Sequence, residues 1–444
     1  MRRHFRTFLS DAYKCDAEWK GRLNNPLLEK LKNENFYGDL IRKFQNEGKV
    51  SAIDVDLFSN LVLNELQLDD LEVITNKFRR CPNTVHALPC TGHAVIRTYL
   101  EFKNTNSLMR MLDDRLNYGL FLDFYISNLM MDLFLKQDNF RDAAKVAIQH
   151  MLQEEFDHPI TSALALYSCY GYLKKPQPEP WDPQPRAKPE EPTEEVKVRV
   201  DYIREPFFDD HFDLTDPRHL IGKTLIGFGK HWARQSPDAL THTSILVGWT
   251  LFEKFDKVIH SLDSLFGSVS KPVLFREGLE LCKKSLQEST NLPDTFLDEF
   301  NLRVNRLEAE GFLLDGSLID ILKQRIKDAV EKQEKDDIQH QIDLYKKWEQ
   351  LREDEVERQT EAAERRKRLE ILEAKKKELA EKEERLNFFE NLDEWELRSE
   401  EKLLQREMRA KAQEGRGRKI SAKLLRQAEE DAYYPPEITS NRKK

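Results

Sequence analysis

The sequence lacks any run of the 18 to 20 apolar residues that a membrane-spanning helix requires. Its longest apolar stretches are broken by Asp, Lys or Asn, which excludes a helical span and predicts a soluble chain. No Cys-x-x-Cys pair occurs. Cys15, Cys81, Cys90, Cys169 and Cys282 stand apart in apolar or helical contexts, which argues against a disulfide-stapled secreted scaffold and for a reducing interior. Between Ser317 and Glu414 there is neither glycine nor proline, so nothing in those 98 residues breaks a helix.

Catalytic motifs are missing as well. Gly222-Lys223-Thr224 resembles the end of a phosphate-binding loop, but the glycine such a loop needs five residues earlier is replaced by Pro217, and no strand precedes it. Cys81, His86, Cys90 and His93 have gaps of four, three and two residues that straddle Pro82 and Pro89 and match no zinc-finger spacing. Asp209, Asp210, His211 and Asp213 would point in divergent directions on a helix and are read as a loop, with Asp216-Pro217 starting the next helix. No Ser–His–Asp or Cys–His arrangement follows a recognisable local pattern. The residues predict no enzyme, no cofactor, no metal and no small-molecule substrate.

What the chain does have is helical periodicity and charge. At 444 residues it has room for two or three domains. Of its residues 39% are hydrophobic and 34% charged, so part of the chain must be unusually solvated. The net charge of -9 argues against a globally basic nucleic-acid binder and turns attention to local clusters. The opening MRRHFRTFL carries Arg2, Arg3 and Arg6 and no acid. It is read either as a short mitochondrial presequence remnant or as the basic start of a first helix, within an N-terminal arm of residues 1–25.

From 26 to 173, apolar residues recur at three and four, and turn signals such as Cys81-Pro82-Asn83 and Gln137-Asp138-Asn139 separate the helices. Sliding the chain by 35 residues places His93 on Asn128, Ile96 on Met131, Tyr99 on Phe134 and Asn104 on Asn139. A further 35 takes Met131 to Leu166. A two-helix unit with this period predicts a short α-solenoid, each unit covering its neighbour's apolar face. Residues 174–199 are a proline-rich linker, with seven prolines between Lys174 and Thr193. Helical patterning returns over 200–316, punctuated by glycines, and is read as a second, less regular helical-repeat portion.

Residues 317–414 follow as one long charged helix. At 1.5 Å per residue it would extend roughly 140 Å. About two-thirds of Leu351–Arg385 is charged, so it is read as a free helix laced by i,i+4 Glu–Lys and Glu–Arg pairs, with Leu372, Leu379 and Leu386 forming at most a short seam. The predicted class is therefore all-α, a helical-hairpin solenoid followed by a long C-terminal helix.

Positive charge offers the one functional lead. Lys77, Arg79 and Arg80 cluster at a helix end, Arg97, Lys103, Arg110 and Arg115 dot one repeat, and Lys136, Arg141 and Lys145 dot the next. Stacking would align such residues into a stripe able to track phosphates, although interleaved acids also fit an ordinary solvated face. The tail 415–444 is cleaner: Arg416, Arg418, Lys419, Lys423 and Arg426 lie in a stretch without acids, expected to be flexible until it meets nucleic acid.

The 35-residue unit, above all FYISNLMMDLFLKQDNFRDAAKVAIQHMLQEEF (124–156), resembles a pentatricopeptide repeat. The segments RTFLSDAYKCDAEWK (6–20), KFRRCPN (77–83), NYGLFLDFYISNLMMDLFLKQDNFRDAAKV (117–146) and IQHQIDLYKKWEQL (338–351) resemble, more narrowly, the pentatricopeptide-type proteins of the small mitochondrial ribosomal subunit. That resemblance implies a structural role in the mitochondrial matrix, in translation, with small-subunit 12S-type ribosomal RNA and neighbouring ribosomal proteins as partners. In sequence-reading members the fifth and last residues of each repeat choose a base. Here those pairs are His93 with Asp123 and Asn128 with His158, neither a standard reading pair, so backbone and shape contacts are expected instead. Two other readings stand beside this one: a free mitochondrial RNA-processing or translation factor, and a protein-binding scaffold built on the long charged helix.

Overall fold

A computed structural model describes residues 8–31, 35–178, 181, 214, 216–266, 273–289, 292–293 and 295–431, without the side chains of 414–422 and 429–431. The first seven residues, most of the proline-rich segment and the Asp209–Asp213 group lie outside the described residues.

The all-α expectation holds: the described residues are 82% helical, with almost no strand among them. An N-terminal arm carries α1 (Asp16–Gly21) and α2 (Pro26–Leu31), followed by α3 (Phe36–Glu47), α4 (Ala52–Leu61) and α5 (Leu68–Arg79). The regular part comprises α6 (Pro89–Glu101), α7 (Thr105–Asp113), a single turn α8 (Arg115–Tyr118), α9 (Phe124–Lys136), α10 (Phe140–Gln153) and α11 (Pro159–Lys174). Then come α12 (Pro217–Gln235), α13 (Ala239–Leu251), α14 (Phe255–Leu265), α15 (Arg276–Glu288) and α16 (Phe296–Ala309). Two long helices close the chain, α17 (Leu318–Glu390) and α18 (Leu392–Asp431). Leu274–Phe275 and Leu313–Leu314 add a two-residue parallel β pair within the second helical portion, which the periodicity did not foresee.

The 35-residue period has a local chemical basis in helix caps. Leu88, Asp123 and His158 are the N-caps of α6, α9 and α11, and Asn104 and Asn139 those of α7 and α10. Each Asn accepts the backbone N–H three residues on, from Ser107 at 3.3 Å and Asp142 at 3.1 Å, satisfying one donor the helix start leaves unpaired. The residue before each, Lys103 and Asp138, takes φ of +59°, and Glu253 repeats this left-handed turn at +56° between α13 and α14.

Ile96, Met131 and Leu166, one period apart, are all buried, and each contributes about 1.5–3 kcal/mol by leaving water. Ala143, Ala144 and Ala147 are fully buried on α10. The same need for small residues at a crossing explains the Gly-Lys-Thr sequence. Gly222 packs against Gly248 on α13, and a Cβ on Gly222 would lie 2.7 Å from the Gly248 carbonyl oxygen. Lys223 and Thr224 follow within the body of α12, with no loop around them. Asp216 caps that helix by accepting the Arg218 N–H at 2.8 Å.

The chain divides into two compact units, residues 1–356 and 357–444, so the helix expected as one free rod is split between them. In the first unit Leu318, Leu322, Ile326 and Val330, spaced by four, bury one stripe of α17. Arg352, read from the sequence as part of a free helix, is instead buried, its Nε 2.9 Å from Asp56. In the second unit the described side chains are almost all exposed. The expected i,i+4 pairs are there: Arg368–Glu364, Lys382–Glu378 and Arg398–Glu394. Helix continues through Gly415 to Asp431, where a flexible tail was expected. The interruption falls at Asn391, whose backbone keeps its bonds to Asn387 at 3.1 Å and Trp395 at 3.0 Å, and whose amide also donates to the Asn387 carbonyl at 3.0 Å and to its side-chain oxygen at 2.7 Å. Among the described residues, no helix is long and apolar enough to cross a membrane.

Candidate nucleic-acid interface

His93 and Asn128, the fifth residues of their repeats, occupy equivalent places on α6 and α9, and both are buried. What covers them is the protein's own chain. The His93 Nδ1 lies 3.3 Å from Asp123, whose other carboxylate oxygen caps α9 by accepting the Ile126 N–H at 2.7 Å. The His93 Nε2 lies 3.0 Å from the Tyr345 hydroxyl of α17, and the Trp348 ring meets the imidazole edge-on at 4.9 Å. Burial lowers the pKa of His93, against the opposing pull of Asp123, so the ring favours its neutral form.

At the next repeat, five side chains close a ring of hydrogen bonds. Asn128 donates to the Tyr13 hydroxyl at 2.9 Å, and Tyr13 donates to Asp337 at 3.0 Å. The second oxygen of Asp337 takes the His158 Nε2 at 3.1 Å. The His158 Nδ1 accepts the Thr161 backbone N–H at 3.3 Å, and the Thr161 hydroxyl donates back to Asn128 at 2.8 Å. Burial alone would raise the Asp337 pKa, but hydrogen bonds from His158, Gln333 and Tyr13 outweigh it and hold the carboxyl below its ordinary value. Every polar group that would choose a base in these two repeats already has a partner in the N-terminal arm, the adjoining helix or α17.

Sequence reading found the reading positions but not their cover. Its signals were the aromatic pair Tyr345 and Trp348, and the apolar Ile338 and Ile342, in a stretch otherwise taken for solvated helix. Asn25 adds to the same seam by donating to Glu349 and Glu353 at 2.8 and 3.0 Å.

The basic residues do not form one stripe. Lys103 and Lys136, exposed at the ends of α6 and α9, do come together with Lys14 and Lys20 around a cleft of 370 Å³. Arg97 lines that cleft but is buried, and its guanidinium is held by Asp16 at 2.8 Å, the Tyr125 hydroxyl at 3.3 Å and the Lys14 carbonyl. It is a buried strut for the N-terminal arm, with three of its five N–H donors engaged there. At the end of α5, Lys77 is exposed, while Arg79 donates to the Leu116 carbonyl at 3.4 Å and Arg80 to Asn117 at 3.2 Å. Arg110 pairs with Glu72 at 2.6 Å, Arg115 reaches Gln149 at 3.4 Å, Arg141 pairs with Asp142 at 2.9 Å and Lys145 with Asp113 at 2.8 Å. On α18, Lys423 and Arg426 are exposed; Arg416, Arg418 and Lys419 stand on described helix, but their side chains lie outside the described residues.

The remaining candidates serve packing. Cys81 and Cys90 are buried, and burial beside Asp56 pushes the Cys90 thiol well above its ordinary value, away from the thiolate a metal would need. Among the described residues no group of three His, Cys, Asp or Glu side chains could hold a metal ion. One family, described as mitochondrial 28S ribosomal protein S27, matches residues 1–378, and the chain belongs to that family.

Proposed function

We propose that this protein is a structural, non-catalytic component of the mitochondrial small ribosomal subunit in the matrix, where it touches ribosomal RNA and neighbouring ribosomal proteins. The family supports the ribosomal and mitochondrial parts of this reading. The observation that carries the mode of contact is the closed ring Asn128–Tyr13–Asp337–His158–Thr161, which leaves its repeat no free group to select a base. A protein so built meets folded RNA through backbone and shape. The exposed cations offered to phosphates are Lys77, Lys103, Lys136, Lys423 and Arg426. Arg79, Arg80, Arg110, Arg115 and Arg141 serve from within ion pairs or hydrogen bonds. Arg416, Arg418 and Lys419 extend the same role along the tail.

Sedimentation tests the reading. Mitochondrial lysate is run on a sucrose gradient before and after a moderate salt wash. The protein is expected to travel with the small subunit in both runs. A peak at the top of the unwashed gradient would favour a free processing or translation factor and overturn the proposal. Comigration with no ultraviolet crosslink to RNA would leave a protein-only scaffold.

A further inference from the structure

Three cations outside every cluster considered so far stand together on the second helical portion. Lys230 and Arg234 lie one turn apart on α12, and Lys257 lies on α14. All three are exposed, and among the described residues none has an ion-pair partner. Lys230 and Lys257 approach the ring of one residue, Trp249 on α13, at 4.7 and 4.5 Å from its centroid. Trp249 itself is buried, so the two ammonium groups converge on one indole while both lysines remain exposed.

This arrangement is electrostatically unfavourable on its own. Lys230 and Arg234 are like charges at i,i+4, a spacing that destabilises a helix, and Lys257 adds a third. Partial burial, then the charges of Lys257 and Arg234, hold the Lys230 ammonium below its ordinary pKa. The nearby acids are turned to other work. Asp238 pairs with Arg325 at 2.9 Å, and Glu253 accepts from Ser289 at 2.7 Å and faces His219 at 3.7 Å. Asp256 precedes Lys257 and therefore faces a different side of α14.

From this geometry we infer that the face built by Lys230, Arg234 and Lys257 around Trp249 is a binding surface for the sugar–phosphate backbone of RNA. Three uncompensated cations from two helices, two of them held by one aromatic ring, suit a run of phosphates. An anionic membrane fits less well, because from 122 to 296 no large apolar residue of the described chain is exposed to enter a bilayer. A protein partner would ordinarily seek an accessible aromatic anchor, and here the indole is covered. The inference rests on the proposed ribosomal reading, but it moves one RNA contact from the 35-residue repeats to α12–α14.

The test uses the purified full-length chain and a fluorescein-labelled single-stranded oligouridine of about 20 nucleotides, followed by anisotropy across a salt series. Wild type is expected to bind, with affinity falling steeply as salt rises. The triple variant K230E/R234E/K257E is expected to bind at least about tenfold more weakly, and its salt slope to flatten by about 2, at roughly 0.7 per lost contact on a single strand. If charge reversal compromises folding, K230Q/R234Q/K257Q is measured in its place. An unchanged affinity and slope in a folded triple variant would overturn the inference while leaving RNA binding intact. Wild type that binds vesicles of phosphatidylserine and phosphatidylcholine, or polyglutamate, as tightly as RNA would overturn it also. No RNA binding by wild type would defeat the RNA-contacting reading itself, a result distinct from both.

Discussion

Replacing Arg352 by Met removes a guanidinium from a site where its partner has no other route to charge compensation. Asp56 is fully buried and the Arg352 side chain is 7% exposed. The carboxylate keeps the Thr91 hydroxyl at 2.8 Å and the Asn60 amide at 3.4 Å. Breaking a buried pair by deleting one member costs about 3–5 kcal/mol, and the two neutral donors that remain place Arg352→Met near about 3 kcal/mol. An exposed pair such as Lys382–Glu378 contributes at most about 0.5 kcal/mol. Arg352 lies one turn before Val356, the last residue of the first unit, so the loss falls on the local opening of α17 against α4 before it reaches global unfolding. Amide hydrogen exchange over residues 341–356 reads that opening directly. A loss of about 3 kcal/mol means protection lowered by roughly a hundredfold, since each 1.36 kcal/mol is tenfold. Removing the second charge as well, in D56N/R352M, is expected to restore most of the protection, because the penalty comes from the stranded carboxylate. Protection in R352M within about threefold of wild type, or a double variant as impaired as the single, would refute the reasoning.

Gly248→Ala is expected to lower stability to urea by about 1–3 kcal/mol, because its new Cβ would sit 2.7 Å from the Gly222 carbonyl oxygen at the α12–α13 crossing. For His93, burial lowers the folded pKa, so its contribution to stability is intact above the ordinary histidine value of about 6.5 and is lost as pH falls through the folded value. Urea midpoints should therefore drop between pH 7 and 5, and His93→Gln should flatten that drop while leaving the part due to half-buried His242, whose pKa is lowered by burial too. An unaltered pH profile in His93→Gln contradicts the assignment. Asn391→Ala removes the side chain that bonds back to Asn387 and restores the best helix former, so exchange across 386–396 should slow several-fold, corresponding to about 0.5 kcal/mol or more.

Much of this fold was legible because its repeats are written in local chemistry. The recurring Asn104 and Asn139 are N-caps, and the period that superimposed Ile96, Met131 and Leu166 chose residues that are all buried. The candidate interface was legible only in part. Position alone marked His93 and Asn128, but their cover comes from distant residues, Tyr345 on His93 at a separation of 252 and Tyr13 on Asn128 at 115, and no periodicity carries that information. Arg352 was misread for the same reason. It sits among acids that suggest solvent, and its partner Asp56 is a lone carboxylate nearly 300 residues earlier. Arg97 looked like a surface cation because sequence charge does not reveal which arm folds over it. Gly415 and Gly417 suggested a flexible tail, but the residues flanking them are helix formers that carry the helix through.

The cover over His93 and Asn128 also bears, by magnitude, on which kind of RNA contact the proposed function can use. Exposing His93 and Asn128 to a base would separate Tyr345 from His93, Tyr13 from Asn128 and Asp337, and Asp337 from His158. Four hydrogen bonds, one buried and three part-buried, would be lost at about 1 kcal/mol each. Tyr13 and Trp19, both buried under the same cover, would return to water at about 1.5–3 kcal/mol apiece. Against that sum, on the order of 7–10 kcal/mol, hydrogen bonds to the edges of two bases contribute about 1–3 kcal/mol each. The closed arrangement wins across these ranges, by about 1–8 kcal/mol, so the arm and α17 act as an internal ligand of the repeats. The RNA contact proposed above is thereby confined to the outer faces, where charge and shape would decide and sequence would not.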